Sequence, residues 1–290
     1  MKRFIALAIL VTTSSSYGAS REIYDLMYLP NAGTTYGFST GQYVSAERES
    51  DQLGDLDVKG FNLSQTIGHA FSDRLSLEGS IDYTSLQSDP EGGEKFDSSK
   101  GISDPSVQLK FRAIDEKFRL DLIGGATVNF MDREVERDGD TNNVQGGHSL
   151  FGGAQIGVKA DAFQWALGAA IVHNMKATTE FETASGDVEV EDDANNELLV
   201  AGNILHKLTE KSILRWDLSA RFTESYEDDL NPANETPPQT VYSVGPEYQY
   251  MASQDLLLRA GVDYQTFNSR SGQIDDADAW NFLLGANYQF

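Results

Sequence analysis

The chain ends in WNFLLGANYQF, which runs from Trp280 to Phe290. Aromatic and aliphatic side chains take every second position of this stretch. A repeat of two is the spacing at which successive side chains of a β-strand reach the same face of a sheet. We therefore predict a C-terminal β-strand with one apolar face, formed by Trp280, Phe282, Leu284, Ala286, Tyr288 and Phe290.

The same alternation recurs through the rest of the chain. In residues 74–84, Leu75 and Leu77 fall on one face, while Ser76 and Glu78 fall on the other. Very short turns and long acidic loops alternate between such segments, as they do in transmembrane barrels. The pattern predicts an all-β fold, a transmembrane antiparallel up-and-down β-barrel of about 12 strands, with both termini periplasmic. The predicted strands are 36–47, 58–71, 74–86, 104–114, 118–130, 148–160, 163–175, 195–207, 211–224, 240–251, 254–267 and 279–290. Five residues break the pattern: Gln65 falls on the apolar face, and Ile123, Leu199, Leu257 and Leu283 fall on the polar face.

The aromatic residues of the apolar face separate a membrane barrel from a soluble β-sandwich. Aromatic girdles are expected where a barrel meets the two membrane interfaces, and a sandwich core has no reason to produce them. One predicted rim holds Phe71, Phe111, Trp165, Trp216, Tyr248, Tyr250, Tyr288 and Phe290. The other rim holds Tyr83, Phe130, Phe222, Tyr242, Tyr264 and Trp280. We therefore expect a protein of the bacterial outer membrane, in contact with outer-membrane lipid.

Composition narrows the range of functions. The sequence has 45 acidic and 22 basic residues, a formal net charge of -23, which argues against a nucleic-acid partner. The absence of cysteine excludes disulfides, thiolate catalysis and zinc–thiolate sites. We expect no cofactor.

The N-terminus has the features of a secretory signal peptide. Lys2 and Arg3 precede a short apolar run from Phe4 to Val11, and small polar residues follow. Cleavage after Gly18 or after Ser20 would place a small residue, Ser16 or Gly18, at the third position before the cleaved bond. Both cleavage sites are therefore compatible with the sequence. We assign residues 1–20 to the signal peptide, 21–35 to a periplasmic segment that can enter the barrel, and 36–290 to the barrel.

Charged residues on the face opposite the lipid are expected to line the lumen. Two interpretations stay open: a structural network of ion pairs that fills a narrow barrel, or a polar constriction that selects what passes. Glu247 and Arg259 are expected to face each other across neighbouring strands. The predicted lumen-lining residues are Glu78, Asp82, Lys110, Arg112, Arg119, Asp121, Lys159, Arg215, Asp217, Arg221, Glu247, Arg259 and Asp263.

The acidic loops hold one incomplete metal motif. Asp138, Asp140 and Asn142 begin like a calcium-binding loop, but Asn143 and Ser149 replace the glycine and the glutamate that the motif requires. We therefore expect no metal site built by the protein alone. Divalent cations that bridge the loop carboxylates to lipopolysaccharide phosphates are an open alternative.

Some outer-membrane barrels hydrolyse lipids with a serine and a histidine on the lipid-facing wall, so this class of enzyme must be considered. His148 and His173 are predicted to point outward near the same end of neighbouring strands, whereas Ser149 points inward by parity. A hydroxyl must lie within about 3 Å of its base to be activated. We therefore predict no enzyme.

The C-terminal strand resembles the recognition signal of bacterial outer-membrane proteins, which the barrel-assembly machinery reads. The resemblance assigns this role to Trp280, Phe282, Leu284, Tyr288 and Phe290, and it implies that loss of Phe290 impairs assembly.

The segment Gly101-Ile-Ser-Asp-Pro-Ser-Val-Gln-Leu-Lys-Phe-Arg112 resembles the Gly-x-Gly-Asp-x-x-x-x-x-Lys-Tyr-Arg segment of the outer-membrane channels of the MetA-pathway phenol-degradation family. Ser103 replaces the second glycine of that pattern. Membership would imply a channel for passive uptake of small, aromatic or hydrophobic solutes. A closed structural or surface-interaction barrel without transport is the alternative, and a lipid hydrolase is the third possibility.

Overall fold

Twelve long antiparallel strands form the barrel, and we number them β1 to β12 in chain order. In this computed structural model they are Thr35–Arg48, Leu56–Ser72, Leu75–Pro90, Ser106–Asp115, Phe118–Thr127, Ser149–Lys159, Phe163–Asn174, Asn195–Lys207, Ser212–Thr223, Gln239–Met251, Leu256–Ser269 and Asp276–Gln289. Each strand pairs with its neighbours in sequence, and β12 also pairs with β1. The sheet therefore has no open edge, and the predicted twelve-stranded up-and-down barrel is confirmed.

The structure describes residues 18–19, 23–48, 56–90, 97–136, 140–160, 162–225, 238–269 and 276–290. The predicted signal peptide lies outside them, apart from residues 18–19, which pair with Met27–Tyr28. None of the described residues forms a helix that is long and apolar enough to span a membrane.

The short turns lie at one end of the barrel and the long connections at the other. At the long-loop end, residues that were predicted to be loops form additional short strands. Asp97–Ile102 extends the pairing of β3, and Ala177–Thr183 forms a hairpin with Gly186–Asp192, to which Arg133–Val135 adds in parallel. The hairpin was missed because acidic residues dominate it, although Gly186, with φ of 118°, supplies the tight turn.

The outer surface of the barrel is apolar. The predicted assembly residues lie on it, with Trp280 51%, Phe282 52%, Leu284 69% and Phe290 80% exposed. Exposed apolar area on this scale is expected only where a surface contacts lipid or another protein.

Gln65, the polar residue on this apolar face, is satisfied within the sheet. It accepts a hydrogen bond from Ser39 Oγ at 2.6 Å and donates one to Tyr288 Oη at 2.6 Å. The Tyr288 ring covers Gly37, where a Cβ atom would collide with it. The Gln65 amide thus lies beside the aromatic residues of the short-turn rim, where a polar group costs less free energy than in the middle of the lipid-facing belt.

The N-terminal segment from Ile23 to Pro30 lies inside the barrel at the short-turn end. Residues 23–30 are all buried, and we call them the plug. Its apolar side chains pack against inward-facing residues of the wall, among them Tyr36, Phe38 and Leu257. Leu257, which the alternation left on the polar face, is fully buried because the plug covers it.

Candidate functional site in the barrel lumen

A cavity of about 730 Å³ occupies the lumen between the plug and the long-loop end. Phe38 packs in the apolar cluster of the plug and also borders the cavity, and Glu78 borders the cavity and binds Lys110, which contacts the plug, so the cavity begins next to the plug. The lining extends to Asp192 and Asp193 at the mouth. This volume falls in the range that small-molecule sites occupy in proteins.

The two sides of the cavity differ in chemistry. On strands β1 to β3 the lining is polar apart from Phe38, and it includes Thr40, Gln42, Asn62, Ser64, Thr66, Glu78, Ser80, Asp82 and Thr84. On strands β5 to β8 it is mixed, with the apolar side chains of Ile123, Phe151, Ala170, Val172 and Leu199 beside polar ones such as Gln155, Glu197 and Asn203. The Phe151 ring lies over Gly125, because a Cβ atom added there would collide with it. Glycine at this position therefore leaves room for the aromatic side chain against the wall.

A network of charged side chains follows the lumen wall along strands β8 to β11 and reaches β1. The Asp217 carboxylate accepts hydrogen bonds from Arg215, whose Nε lies 2.7 Å away, and from the Asn203 amide. Arg259 donates to Glu247 Oε2 at 3.3 Å and to Thr40 at 2.6 Å. The structure thus brings the predicted pair Glu247 and Arg259 together. Because the Arg259 and Glu247 side chains are only 2% and 6% exposed, neither could lose its partner without a large cost.

A second group of charges lies lower in the lumen and binds the plug through its backbone. Arg112 donates to the carbonyl oxygen of Met27 at 2.8 Å, and Asp121 holds the guanidinium with bonds of 2.8 and 2.9 Å. Lys110 donates to Glu78 at 3.1 Å and to a plug carbonyl at 3.4 Å. These cations recognise main-chain oxygens, which explains how they bind a segment without a distinctive motif.

Asp25 is the charged anchor of the plug. Its carboxylate accepts a hydrogen bond from Lys159 Nζ at 2.8 Å, lies 3.9 Å from Arg119, and accepts another from the Gln164 amide. The backbone N–H of Leu26 donates back to Gln164 Oε1 at 3.2 Å. Burial raises the pKa of the Asp25 carboxyl above its ordinary value, and the Lys159 charge opposes this rise.

All thirteen predicted lumen residues lie on the inward-facing side of their strands, but they divide into two groups. Those that border the cavity are Glu78, Asp82, Arg215, Asp217, Arg221, Glu247, Arg259 and Asp263. Those that lie at the plug are Lys110, Arg112, Arg119, Asp121 and Lys159. Three further inward-facing residues of the lumen lie outside the predicted set: Glu197, which pairs with Arg221 at 3.2 Å, and the amides Gln155 and Asn203. Their inward parity was the signal that could have identified them.

The lipid-facing histidines have other partners than a serine. His148 Nδ1 accepts a hydrogen bond from the backbone N–H of Asn129, and His173 is 2.9 Å from the Asn196 side chain. Ser149 is buried on the opposite face of its strand. Asp138, from the incomplete calcium motif, lies outside the described residues. Among those described, no three His, Asp or Glu side chains are grouped to hold a metal ion.

No protein-family model and no curated protein matches this sequence. Among solved structures, an outer membrane channel from Pseudomonas putida F1 has a TM-score of 0.65 at 14% identity, over 90% of this chain and 97% of that chain. The translocator domain of the autotransporter NalP from Neisseria meningitidis has a TM-score of 0.51 at 11% identity, over 90% of each chain. At such low identities the likeness concerns the fold alone. The chain has the fold of bacterial outer-membrane β-barrels, as its sequence predicted.

Proposed function

We propose that this protein is an outer-membrane channel for the passive uptake of small solutes. The observation that carries the proposal is the 730 Å³ cavity, which opens toward the long-loop end and is lined by polar and charged side chains. A barrel that served only as a structural element would gain more stability from a lumen filled with well-packed side chains. The resemblance to an outer membrane channel from Pseudomonas putida F1 supports the same function.

In this proposal the barrel spans the outer membrane with its apolar belt in lipid and both termini on the periplasmic side. The acidic loops face the cell exterior, where divalent cations can bridge them to lipopolysaccharide. The plug closes the periplasmic end, so a solute that enters the cavity passes through only when residues 23–30 shift. Apolar packing, hydrogen bonds and ion pairs hold the plug, and none of these contacts is part of the strand pairing of the barrel, so a shift of the plug leaves the sheet of the wall intact.

Purified full-length mature protein in planar bilayers tests the proposal. We expect discrete conductance steps, and we expect proteoliposomes to take up small solutes faster than liposomes that contain the heat-denatured protein. The absence of conductance and of uptake for every solute tested, in a preparation that shows heat-modifiable migration, would overturn the channel function.

A closed structural or surface-interaction barrel is the second candidate. The burial of residues 23–30 favours it, since the plug occupies the short-turn end of the lumen. Deletion of residues 23–34 distinguishes the two functions. A channel should conduct more strongly after the deletion, whereas a closed barrel should lose stability without gaining solute uptake.

A further inference from the structure

We infer that the solute is a small organic cation with an apolar body, such as a protonated aromatic amine, and that the lumen disfavours carboxylates of the same size. The inference rests on the proposed channel function and specifies its substrate class. Three independent features of the cavity carry it: its charge balance, its unsatisfied oxygen atoms and its apolar wall.

Negative charge dominates the cavity. Among the described residues, its lining holds nine acidic residues, Glu78, Asp82, Asp104, Asp192, Asp193, Glu197, Asp217, Glu247 and Asp263, and four arginines, Arg133, Arg215, Arg221 and Arg259. Lys110 and Lys176 compensate Glu78 and Asp193, which leaves more acidic than basic side chains at the cavity. Three of the arginines pair with Asp217, Glu197 and Glu247, at 2.7, 3.2 and 3.3 Å. Their positive charge is therefore balanced within the wall and is not available to attract an anion.

Two carboxylates of the lumen wall keep their charge uncompensated. Asp82 on β3 and Asp263 on β11 are in no ion pair with any of the described residues. Asp263 accepts hydrogen bonds only from neutral groups, the Ser243 hydroxyl and the amides of Gln265 and Asn281. In a narrow lumen with low-dielectric walls, such charges raise the local concentration of cations and lower that of anions.

Among the described residues, oxygen acceptors predominate over nitrogen donors in the set of buried cavity-lining atoms without a hydrogen-bond partner, although the Nε atom of Arg259 also belongs to this set. Asp82 Oδ1, Gln155 Oε1 and Asn203 Oδ1 are buried atoms without a hydrogen-bond partner among the described residues, and all three residues border the cavity. Gln155 and Asn203 are only 2% and 6% exposed. The Asn203 amide nitrogen already donates to Asp217, so its oxygen is the atom left to accept. A solute that donates several N–H bonds satisfies such atoms, whereas a carboxylate, which only accepts, does not.

The apolar wall accounts for the body of the solute. Ile123, Phe151, Val172 and Leu199 border the same cavity as the uncompensated carboxylates. Ile123 and Leu199 are residues that break the binary pattern of their strands, so the lumen presents apolar surface where a water-filled pore would present polar groups. An amine with an aromatic ring can place its ring on this wall and its ammonium group near the acidic side.

Three probes of nearly equal size separate charge from shape: benzylamine, benzyl alcohol and benzoate. In proteoliposomes that contain the full mature protein at pH 7, we expect benzylamine to enter about tenfold faster than benzoate, with benzyl alcohol between them after subtraction of its flux through protein-free liposomes. In planar bilayers with a KCl gradient, the reversal potential should report cation preference. Both measurements use the unmodified protein, so they do not depend on the folding of a variant.

Substitutions of the two uncompensated carboxylates test whether they cause the preference for benzylamine. Asp82→Asn and Asp263→Asn keep the side-chain shape and remove one charge each, and the double variant should lose most of the preference for benzylamine. Asp187→Asn, at the exposed tip of the 177–192 hairpin, is the matched control and should behave as wild type. Equal flux of benzylamine and benzoate, or faster flux of benzoate, would overturn the inference and leave the channel function intact. Failure of all three probes to enter would overturn this inference, and only together with the absence of ion conductance would it overturn the channel function as well.

Discussion

The contact between Asp25 and Lys159 is the point at which the plug can be tested most directly. The substitution Asp25→Asn removes the negative charge of the anchor and keeps its size. It leaves the hydrogen bond with Gln164 possible, while Lys159 and Arg119 lose the carboxylate that they contact at 2.8 and 3.9 Å. We expect the plug to leave its position more often.

The structure limits the size of the effect. Breaking a fully buried ion pair costs about 3–5 kcal/mol, because the remaining charge loses its partner. The Lys159 side chain is 29% exposed, so it can turn toward water and recover part of this cost. The burial that raises the pKa of Asp25 favours a neutral side chain at this position and offsets a further part of the cost. We therefore expect about 1 kcal/mol, which corresponds to an increase of about fivefold in the ratio of undocked to docked plug.

Single-channel recording measures this ratio as the open probability. We expect Asp25→Asn to increase the fraction of time spent in the open state by this factor, up to saturation, with the conductance of the open state unchanged. Asp187→Asn serves as the control for the same chemical change outside the lumen. Lys159→Met should produce a larger increase, because the Asp25 side chain is fully buried and keeps only the Gln164 amide and Arg119, at 3.9 Å, as partners.

The result that would refute the reasoning is an Asp25→Asn channel with the open probability of the wild type and with normal heat-modifiable migration. It would mean that the ion pairs of Asp25 do not hold the closed state. A change in open-state conductance instead of open probability would show that the plug lines the permeation path and does not close it.

Three further predictions concern assembly, the cavity and the charged network. Phe290→Ser should lower the amount of protein in outer-membrane fractions on immunoblots, although the side chain is 80% exposed and contributes little to barrel packing, and normal levels would contradict an assembly role. Ser219→Trp should reduce single-channel conductance because Ser219 borders the cavity, and an unchanged conductance would place the path elsewhere. Arg259→Ala should lower the stability of the barrel by about 3 kcal/mol, since it leaves Glu247 buried without its partner, which urea unfolding in detergent measures. The same variant should strengthen cation preference, and a shift toward anions would contradict the assignment of the lumen.

Much of the fold could be predicted because a β-strand alternates its side chains strictly between two faces. Once Leu75 is assigned to the lipid side, Ser76 and Glu78 must face inward, whatever the rest of the barrel does. The same rule placed Arg215 and Arg259 on the inner face. Short turns make neighbouring strands antiparallel. An even number of strands then allows the first and last strands to pair antiparallel as well, which closes the barrel.

Which inward residues meet one another could not be predicted in this way. Alternation predicts the face on which a residue lies and not its position along the barrel axis relative to the opposite wall. It therefore could not separate the lumen charges that contact the plug from those that border the cavity. Ile123 and Leu199 are apolar residues at inward-facing positions, which the pattern does not explain, and in the structure both line the cavity.

The sequence by itself therefore determined the strand count, the direction of most strand side chains and the lipid-facing surface, because these follow from local periodicity. Only the tertiary structure decided that residues 23–30 fill one end of the lumen. Their contacts join residues far apart in sequence, such as Asp25 with Lys159 and Met27 with Arg112. No local pattern encodes these contacts, since they depend on the closed shape of the barrel around the segment.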